Sequence, residues 1–240
     1  SFGSDVGTST SLNGPTALPG GQVVTRLTAG PTALPSVWAG GVAVPLPPPH
    51  PATVIGQGLV TADVSGDHLA DAVSWSLDTQ CTELTIHTHV RGDPAYSTVR
   101  LPWPTPSGRC EASGVQARAA ELDGDGRSDL LFTARVDTNP DLVLVTPMTD
   151  LISVRRMLDG TWSIEGGAQP IGAATGFELP RCDQGDLDGN GLADFACLGY
   201  VTGGWELVLA QNAGSGRFVF SRAPAPPFSS SHHLRLFDVD

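Results

Sequence analysis

Residues 121–132 read ELDGDGRSDLLF. Four carboxylates, those of Glu121, Asp123, Asp125 and Asp129, stand at odd-numbered positions immediately before an apolar run. Like charges this close repel one another, and the intervening glycines let the backbone curl so that the oxygens can converge. Oxygen ligands on a tight loop are what a hard cation such as Ca²⁺ requires, so this stretch predicts a calcium-binding loop.

The same pattern occurs three times and begins a fourth time at the end of the chain. The three copies read TADVSGDHLADAVSW, AAELDGDGRSDLLFT and CDQGDLDGNGLADFACL, and the final stretch reads LFDVD. Their loops begin at residues 63, 121, 186 and 238, so the spacing is 58, 65 and 52 residues. Self-similarity at such a period indicates repeated supersecondary units.

Each loop is followed by apolar, β-branched runs that predict strands. The runs are DAVSWSL, DLLFTARV and DFACLGYV, then ELTIHTHV, DLVLVTPM and WELVLAQN, and finally YSTVRLPW, SVRRML with TWSI, and GRFVFSRA. Gly, Pro and Asp separate them, and no helical periodicity of useful length is present. A four-stranded antiparallel sheet per repeat is typical of a β-propeller blade, so we expect an all-β propeller fold.

A family resemblance rests on the segments DGDGRSDL, DGNGLADF and LVLAQNAGSGRFVFS. On these segments the chain resembles the FG-GAP/VCBS repeats, the calcium-binding blades of integrin-α-like propellers. An EF-hand would need flanking helices and a Glu at loop position 12, which is Ser74, Phe132 or Cys197 here. The resemblance covers roughly residues 57–240 and implies that the metal holds a hairpin at the edge of a blade. A closed ring needs about four to eight blades, so the chain is expected to form part of a larger ring.

The ligands expected of each loop are side-chain oxygens at positions 1, 3, 5 and 9 and a backbone carbonyl at position 7, with water completing the shell. The predicted ligands are Asp63, Ser65, Asp67, Leu69 and Asp71 in the first loop, Glu121, Asp123, Asp125, Arg127 and Asp129 in the middle loop, and Asp186, Asp188, Asn190, Leu192 and Asp194 in the third loop. Position 6 must turn sharply, which suits Gly126 and Gly191 better than His68. With four carboxylates against three in each other loop, the middle loop is expected to bind calcium most tightly and the first loop most weakly. The alternative is that these are acidic turns that bind no ion.

The four cysteines are Cys81, Cys110, Cys182 and Cys197, and none belongs to a Cys-x-x-Cys pair that would indicate zinc. An even number with local spacing suits two disulfide bonds in an oxidising compartment. We favour Cys81–Cys110 with Cys182–Cys197, because each bridge then lies within one repeat, and four free buried thiols are the alternative. The protein is accordingly expected to be secreted or displayed at the cell surface.

The charge and the motifs limit the classes of function. A net charge of −12 repels nucleic acid and anionic lipid, and no apolar run approaches the ~18 residues of a membrane span. No nucleophile elbow, phosphate loop or Cys/His nucleophile pair is present, so a non-enzymatic role is favoured. We expect a calcium-stabilised binding or scaffold module that recognises a protein or a carbohydrate. The alternative is the propeller portion of a larger secreted enzyme or toxin assembly, such as a polysaccharide lyase or a toxin shell component, with catalysis elsewhere.

Five further features give weaker indications of function. Residues 1–56 are rich in Pro and Gly and predict a degenerate blade, a strand pair with polyproline connections, or a linker. His87 and His89 fall on one face of a strand and are expected to be a packed or solvated pair, with a zinc or catalytic pair as the alternative. The tripeptide RGD at Arg91–Asp93 is expected to be a plain turn, with an integrin-ligand motif as the alternative, and His232–His233 is expected to be a loop. The tryptophans are expected to lie in the core, with a sugar-binding platform as the alternative. They are Trp38, Trp75, Trp103, Trp162 and Trp205.

Overall fold

The computed structural model describes residues 26–27, 36–39, 42–45, 54–93, 96–104, 109–110, 115–137, 147–173, 182–201 and 204–225. In this part of the chain the regular elements are sixteen β-strands with no helix, so the predicted all-β class is confirmed. No helix of the described residues therefore has the length and hydropathy that crossing a membrane requires. The chain divides into two compact units, Ser1–Leu46 and Pro47–Asp240.

The first unit contains a small antiparallel sheet. Its strands, in the order in which they pair, are β1 (Arg26–Leu27), β2 (Ser36–Ala39) and β3 (Val42–Pro45). β2 and β3 form a hairpin in which Ala39 pairs with Val42. Proline ends β3 at Pro45, in keeping with a residue that cannot donate to a sheet ladder.

The second unit contains three antiparallel sheets whose strands pair in chain order. The first sheet is β4 (Val54–Ala62), β5 (Asp71–Asp78), β6 (Glu83–His89) and β7 (Ser97–Pro102). The middle sheet is β8 (Arg109–Cys110), β9 (Gln116–Ala120), β10 (Asp129–Asp137), β11 (Pro147–Arg156) and β12 (Trp162–Ala173). The third sheet is β13 (Cys182–Gly185), β14 (Asp194–Val201), β15 (Gly204–Asn212) and β16 (Phe218–Ala225). Because β8 and β9 pair with different parts of one edge of β10, all three sheets are four strands wide, as predicted.

The three predicted loops occupy equivalent places in these sheets, between the first and the second strand. Position 9 of each loop opens the second strand and pairs with the residue that ends the first strand. The pairs are Ala62 with Asp71, Ala120 with Asp129, and Gly185 with Asp194. The hairpin therefore closes directly on the acidic loop, and the position 9 side chain is fixed by the sheet.

The middle sheet differs from the sequence prediction in one strand. The sequence predicts SVRRML with TWSI as a third run, whereas residues 153–156 complete β11 and the last strand begins at Trp162. Asp150 is buried within β11, and the pairing with β12 shifts register beside it, between Thr149 and Asp150. Of the predicted second run, DLVLVTPM, residues 141–146 lie outside the described residues, and its last two residues begin β11. The polar Asp150 and the bulge beside it interrupt the apolar alternation between the two predicted runs.

Two apolar clusters hold the sheets together. The first draws Val73, Leu84 and Ile86 from the first sheet and Leu130 and Phe132 from the middle sheet, among others. The second combines the opposite face of the middle sheet with the third sheet, and its members include Leu131, Leu151, Phe195 and Val208. Consecutive residues of β10 thus point to opposite clusters, as the two-residue period of a strand requires. The middle sheet is consequently buried on both faces.

Aromatic side chains fill the first cluster. Trp75 and Trp103 both meet Phe132 edge-on, with ring centroids 5.2 and 5.5 Å apart. The buried Trp162 donates its Nε1–H to Thr88 Oγ1 at 3.0 Å. The predicted core role is confirmed for these three tryptophans. Trp205 is half-buried, and the side chain of Trp38 lies outside the described residues.

The predicted Cys182–Cys197 disulfide is present, with its Cα atoms 4.1 Å apart. The two residues pair directly across β13 and β14, so the bridge brackets the third loop. Cys81 is also disulfide-bonded. Its predicted partner is Cys110, whose side chain lies outside the described residues. A disulfide is consistent with an oxidising compartment.

Candidate metal centres

The three loops share one backbone course. Positions 4 and 6 both have positive φ: 83° and 63° at Gly66 and His68, 81° and 80° at Gly124 and Gly126, and 77° and 84° at Gly189 and Gly191. The turn predicted at position 6 is confirmed in all three loops. His68 adopts the left-handed conformation that costs a side chain energy and costs glycine little. The equal turn at position 4 was missed, although a glycine marks it in every copy.

The position 1 carboxylate closes each loop on itself. In the third loop, Asp186 accepts hydrogen bonds from the N–H groups of Gly189 and Gly191, both at 2.8 Å. Asp63 accepts the same pair from positions 4 and 6, each at 2.7 Å, and Glu121 keeps the bond from position 4 at 2.8 Å. Local bonds of this kind fold an acidic turn without a metal, and they leave other lone pairs of each carboxylate available.

The side chains at positions 3 and 5 also accept hydrogen bonds from the loop backbone. The N–H group of position 7 donates at 2.8 Å to Asp67, at 2.8 Å to Asp125 and at 2.7 Å to Asn190. Position 5 donates to the carboxylate at position 3 in the middle and third loops, at 3.1 Å in both. In the first loop, Ser65 instead directs its hydroxyl to Asp63 at 3.4 Å. These bonds do not bear on the carbonyls of Leu69, Arg127 and Leu192, whose role as ligands stays a prediction.

The position 9 aspartate joins each loop to two strands. Asp71, Asp129 and Asp194 are at most 1% exposed. One carboxylate oxygen accepts the N–H of position 2, at 3.0, 3.1 and 2.7 Å in chain order. The other oxygen accepts an N–H at the end of the third strand or just beyond it, from Arg91 at 2.9 Å, Arg156 at 2.6 Å and Asn212 at 2.7 Å. The aspartate thus satisfies two backbone donors, which explains how a carboxylate can be buried here.

Two of the loops gather three carboxylates around one point. The groups are Glu121, Asp123 and Asp129 in the middle loop, and Asp186, Asp188 and Asp194 in the third loop. Within each group, one oxygen from every carboxylate lies within 4.8 Å of the others. Two oxygens on opposite sides of a Ca²⁺ ion are separated by about 5 Å, since each bond measures about 2.3–2.6 Å. Both groups therefore fit around one cation of that size.

The remaining predicted acidic ligands lie outside these groups. Asp125 is exposed and does not belong to the middle group, and among the described residues no such group forms in the first loop. The first loop has Ser65 in place of a carboxylate at position 3 and carries the strained His68 at position 6. The fourth predicted loop, beginning at Asp238, lies outside the described residues. The structure therefore supports two candidate metal centres.

In the middle loop, Asp129 and Glu121 lie in surroundings that disfavour their charged forms. Burial raises the pKa of Asp129 to about 7, and the nearby carboxylates of Asp123 and Glu121 add to the rise. Burial also raises the pKa of Glu121 and of Asp71 above their usual values. A bound divalent cation would favour the ionised forms and so reverse these shifts.

A guanidinium contacts the middle group. Arg155 Nε donates to Asp123 Oδ2 at 2.9 Å, and Nη2 donates a second hydrogen bond to the same oxygen. Arg155 Nη1 also lies 4.0 Å from a carboxylate oxygen of Glu165. The Arg155 and Asp123 side chains are only 18% and 8% exposed, so solvent screens the pair weakly. Arg155 was not predicted as part of the site, because it lies 32 residues from Asp123 in the chain.

Consecutive loops are hydrogen-bonded to each other. Ser128 N–H, at position 8 of the middle loop, donates to the carbonyl of Asp63 at 2.6 Å. Ala193 N–H, at position 8 of the third loop, donates in the same way to the carbonyl of Glu121 at 2.7 Å. The side chain at position 7 of the later loop also lies beside the glycine at position 4 of the earlier loop, Arg127 beside Gly66 and Leu192 beside Gly124. We call this repeated contact the loop ladder.

The other candidates from the sequence belong to the framework. His87 Nδ1 is hydrogen-bonded to Thr98 Oγ1 at 2.8 Å, and the buried His89 packs on the Tyr96 ring with centroids 4.9 Å apart. The pair is thus packed, as expected. Arg91–Asp93 forms the expected turn, with Asp93 N–H donating to the carbonyl of Val90 at 3.0 Å. His232–His233 lies outside the described residues.

Comparison with known proteins finds no matching family model and no matching curated protein. The FG-GAP/VCBS resemblance therefore rests on the loop motifs and stays a prediction. The geometry itself supports a statement about the chemistry of the loops. Two gathered sets of carboxylate oxygens, held by backbone hydrogen bonds at equivalent turns, can accept a hard cation.

Proposed function

We propose that this chain is a calcium-stabilised β-propeller module of a secreted protein, acting as a scaffold that binds a protein or carbohydrate partner. The observation that carries the proposal is the recurrence of one carboxylate group at the same place in two neighbouring sheets. Like charges held together twice by the same backbone bonds favour a shared ligand over chance. The three stacked sheets of similar size support the propeller, with further blades as the neighbours that would complete a ring.

Calcium is the metal that the donor set favours. Both groups consist of carboxylates, without the His or Cys ligands that zinc and copper prefer. Ca²⁺ accepts six to eight oxygens in a flexible shell, whereas Mg²⁺ requires a near-ideal octahedron and keeps several waters. Carbonyl oxygens at position 7 and water would complete the shell around the carboxylates.

The metal would stabilise the fold rather than perform catalysis. The carboxylates at positions 1 and 3 belong to the loop, while position 9 belongs to the second strand, so one ion would join the two. At free Ca²⁺ of 100 times Kd, each site would add about 2.7 kcal/mol to the free energy of unfolding. The disulfide at the third loop supports a secreted location, where calcium sites of extracellular modules bind at about 10⁻⁴–10⁻³ M.

Calorimetric titration of the purified chain with CaCl₂ tests the proposal. We expect two binding events in the wild type and the loss of one in Asp188→Asn, with Glu83→Gln as an isosteric control that removes a surface charge outside the loops. Absence of binding in the wild type would refute calcium as the ligand. Cleavage of polysaccharides by the native protein would favour the alternative, a larger secreted enzyme or toxin assembly with catalysis elsewhere.

A further inference from the structure

The residue that faces position 9 across the sheet differs in charge among the three repeats. Strand register pairs Leu130 with Val154 and Phe195 with Ala210. The next pair along the ladder therefore brings Arg155 opposite Asp129 in the middle repeat and Gln211 opposite Asp194 in the third. By the same register, Val90 takes this place in the first repeat.

Only in the middle repeat does this position supply a cation. Arg155 gives two hydrogen bonds to one oxygen of Asp123, which is a member of the gathered group. In the third loop, Asp188 is exposed, and no ion pair forms to its group among the described residues. Three carboxylates and one guanidinium leave a formal charge of −2 at the middle group, against −3 at the third group.

We infer that Arg155 is an internal counter-cation of the middle loop that competes with calcium, so that the third loop is the tighter calcium site. This inference rests on the proposed calcium binding. Charge-assisted hydrogen bonds at a side chain shielded from solvent are among the stronger ones, and calcium must break or share them at Asp123. The same bonds hold the middle loop together when calcium is absent. The order of affinity is then the reverse of the order that carboxylate counting gives.

Single-loop variants of the full chain make the two affinities measurable by calorimetry with CaCl₂. In Asp188→Ala only the middle loop keeps its full carboxylate group, and in Asp123→Ala only the third loop does. We expect the third loop to bind calcium at least about tenfold more tightly, the scale of one charge-assisted hydrogen bond. Adding Arg155→Gln to the Asp188→Ala chain, which copies the residue of the third repeat, should tighten the middle loop by about the same factor.

The reciprocal exchange provides a second measurement. Gln211→Arg in the Asp123→Ala chain should weaken the third loop about tenfold, because it places a guanidinium opposite Asp194. Arg100→Gln is the matched control, since it removes the same charge from a side chain that is 70% exposed. At physiological ionic strength it should change either affinity by less than about twofold.

The outcomes separate the two proposals. No calcium binding in the wild type would refute the proposed function itself. Two sites of equal affinity that neither Arg155→Gln nor Gln211→Arg changes would overturn the counter-cation while leaving calcium binding intact. If Arg155→Gln does not fold, the Gln211→Arg result decides, because that chain keeps the middle repeat's arginine.

Discussion

The middle loop (residues 121–129) and the third loop (residues 186–194) follow the same backbone course with different electrostatic surroundings. Both turn at positions 4 and 6, and both bury the position 9 aspartate under two backbone N–H groups. In the middle loop a guanidinium contacts Asp123, and the three gathered carboxylates are half-buried or buried. In the third loop Asp186 and Asp188 are exposed. The same loop geometry can thus carry a different net charge, because the third strand of the sheet supplies a guanidinium to one loop and not to the other.

The largest effect should come from removing calcium. With both sites occupied at 100 times Kd, the two would together add about 5 kcal/mol, so EDTA should lower the melting temperature markedly. Calcium should restore it, and magnesium only poorly. Differential scanning calorimetry measures the change. A melting curve that EDTA does not change would show that calcium stabilises neither the middle loop nor the third loop.

Substitution of the position 9 aspartate should cause the next largest loss of stability, and this loss should not depend on calcium. Asp194→Ala leaves the part-buried N–H group of Leu187 and the buried N–H group of Asn212 without an acceptor, a loss of about 3 kcal/mol. Asp129→Ala should lose a similar amount in EDTA, since its two bonds are the same. Chemical denaturation in EDTA measures both, with the exposed Asp188→Ala as a control expected to lose under about 1 kcal/mol. Unequal losses would show that the two loops differ in more than charge.

A smaller effect should be the pH dependence of the middle loop. Its Asp129 has a pKa of about 7 when folded and about 3.9 when unfolded. Because the folded pKa is raised, the stability that this group contributes is present below the unfolded pKa and is lost as pH rises through about 7. The metal-free chain should therefore lose stability as the pH rises between these two pKa values. The stability that calcium adds should increase over the same pH range.

The Asp188→Ala chain isolates this behaviour in the middle loop. Thermal melts with calcium and with EDTA, at about pH 5.5 and about pH 8, give the calcium-dependent gain at each pH. Equal gains at the two values would contradict the burial of an ionisable Asp129 beside Asp123 and Glu121.

The smallest effect should come from the first loop. Ser65 is a neutral group whose hydroxyl lies 3.4 Å from Asp63, so Ser65→Ala should change stability by under about 0.5 kcal/mol. Asp125→Ala in the middle loop should lose more, since Asp125 accepts the N–H of Arg127 at 2.8 Å. Calorimetry of the two variants at fixed ionic strength compares them. Equal losses of stability in the two variants would contradict the prediction that the side chains of the first loop contribute less than those of the middle loop.

Local pattern was enough to predict the loops and most of the strands. The position 6 turn is visible from Gly126 and Gly191, and it extends to His68 by alignment of the copies. The Cys182–Cys197 bridge follows from two cysteines on either side of one hairpin. These features depend on residues close together in the chain, where spacing alone fixes geometry.

The partners supplied by other strands could not be read from the sequence. Asn212 N–H reaches Asp194 from 18 residues away, and Arg155 reaches Asp123 from 32. Both contacts depend on the register between the second and third strands of a sheet, which spacing along the chain does not specify. A count of carboxylates therefore predicted the two groups that could hold a cation. It did not predict Arg155, which is hydrogen-bonded to Asp123 in one of them.

The loop ladder has a consequence for how the chain unfolds. Because Ser128 and Ala193 each bond to the loop before them, every repeat is held by its nearest neighbours, as in a one-dimensional lattice. Melting in such a lattice spreads from the ends inward, and a repeat with neighbours on both sides opens last. The middle repeat occupies that place among the described sheets, so it should open last of the three.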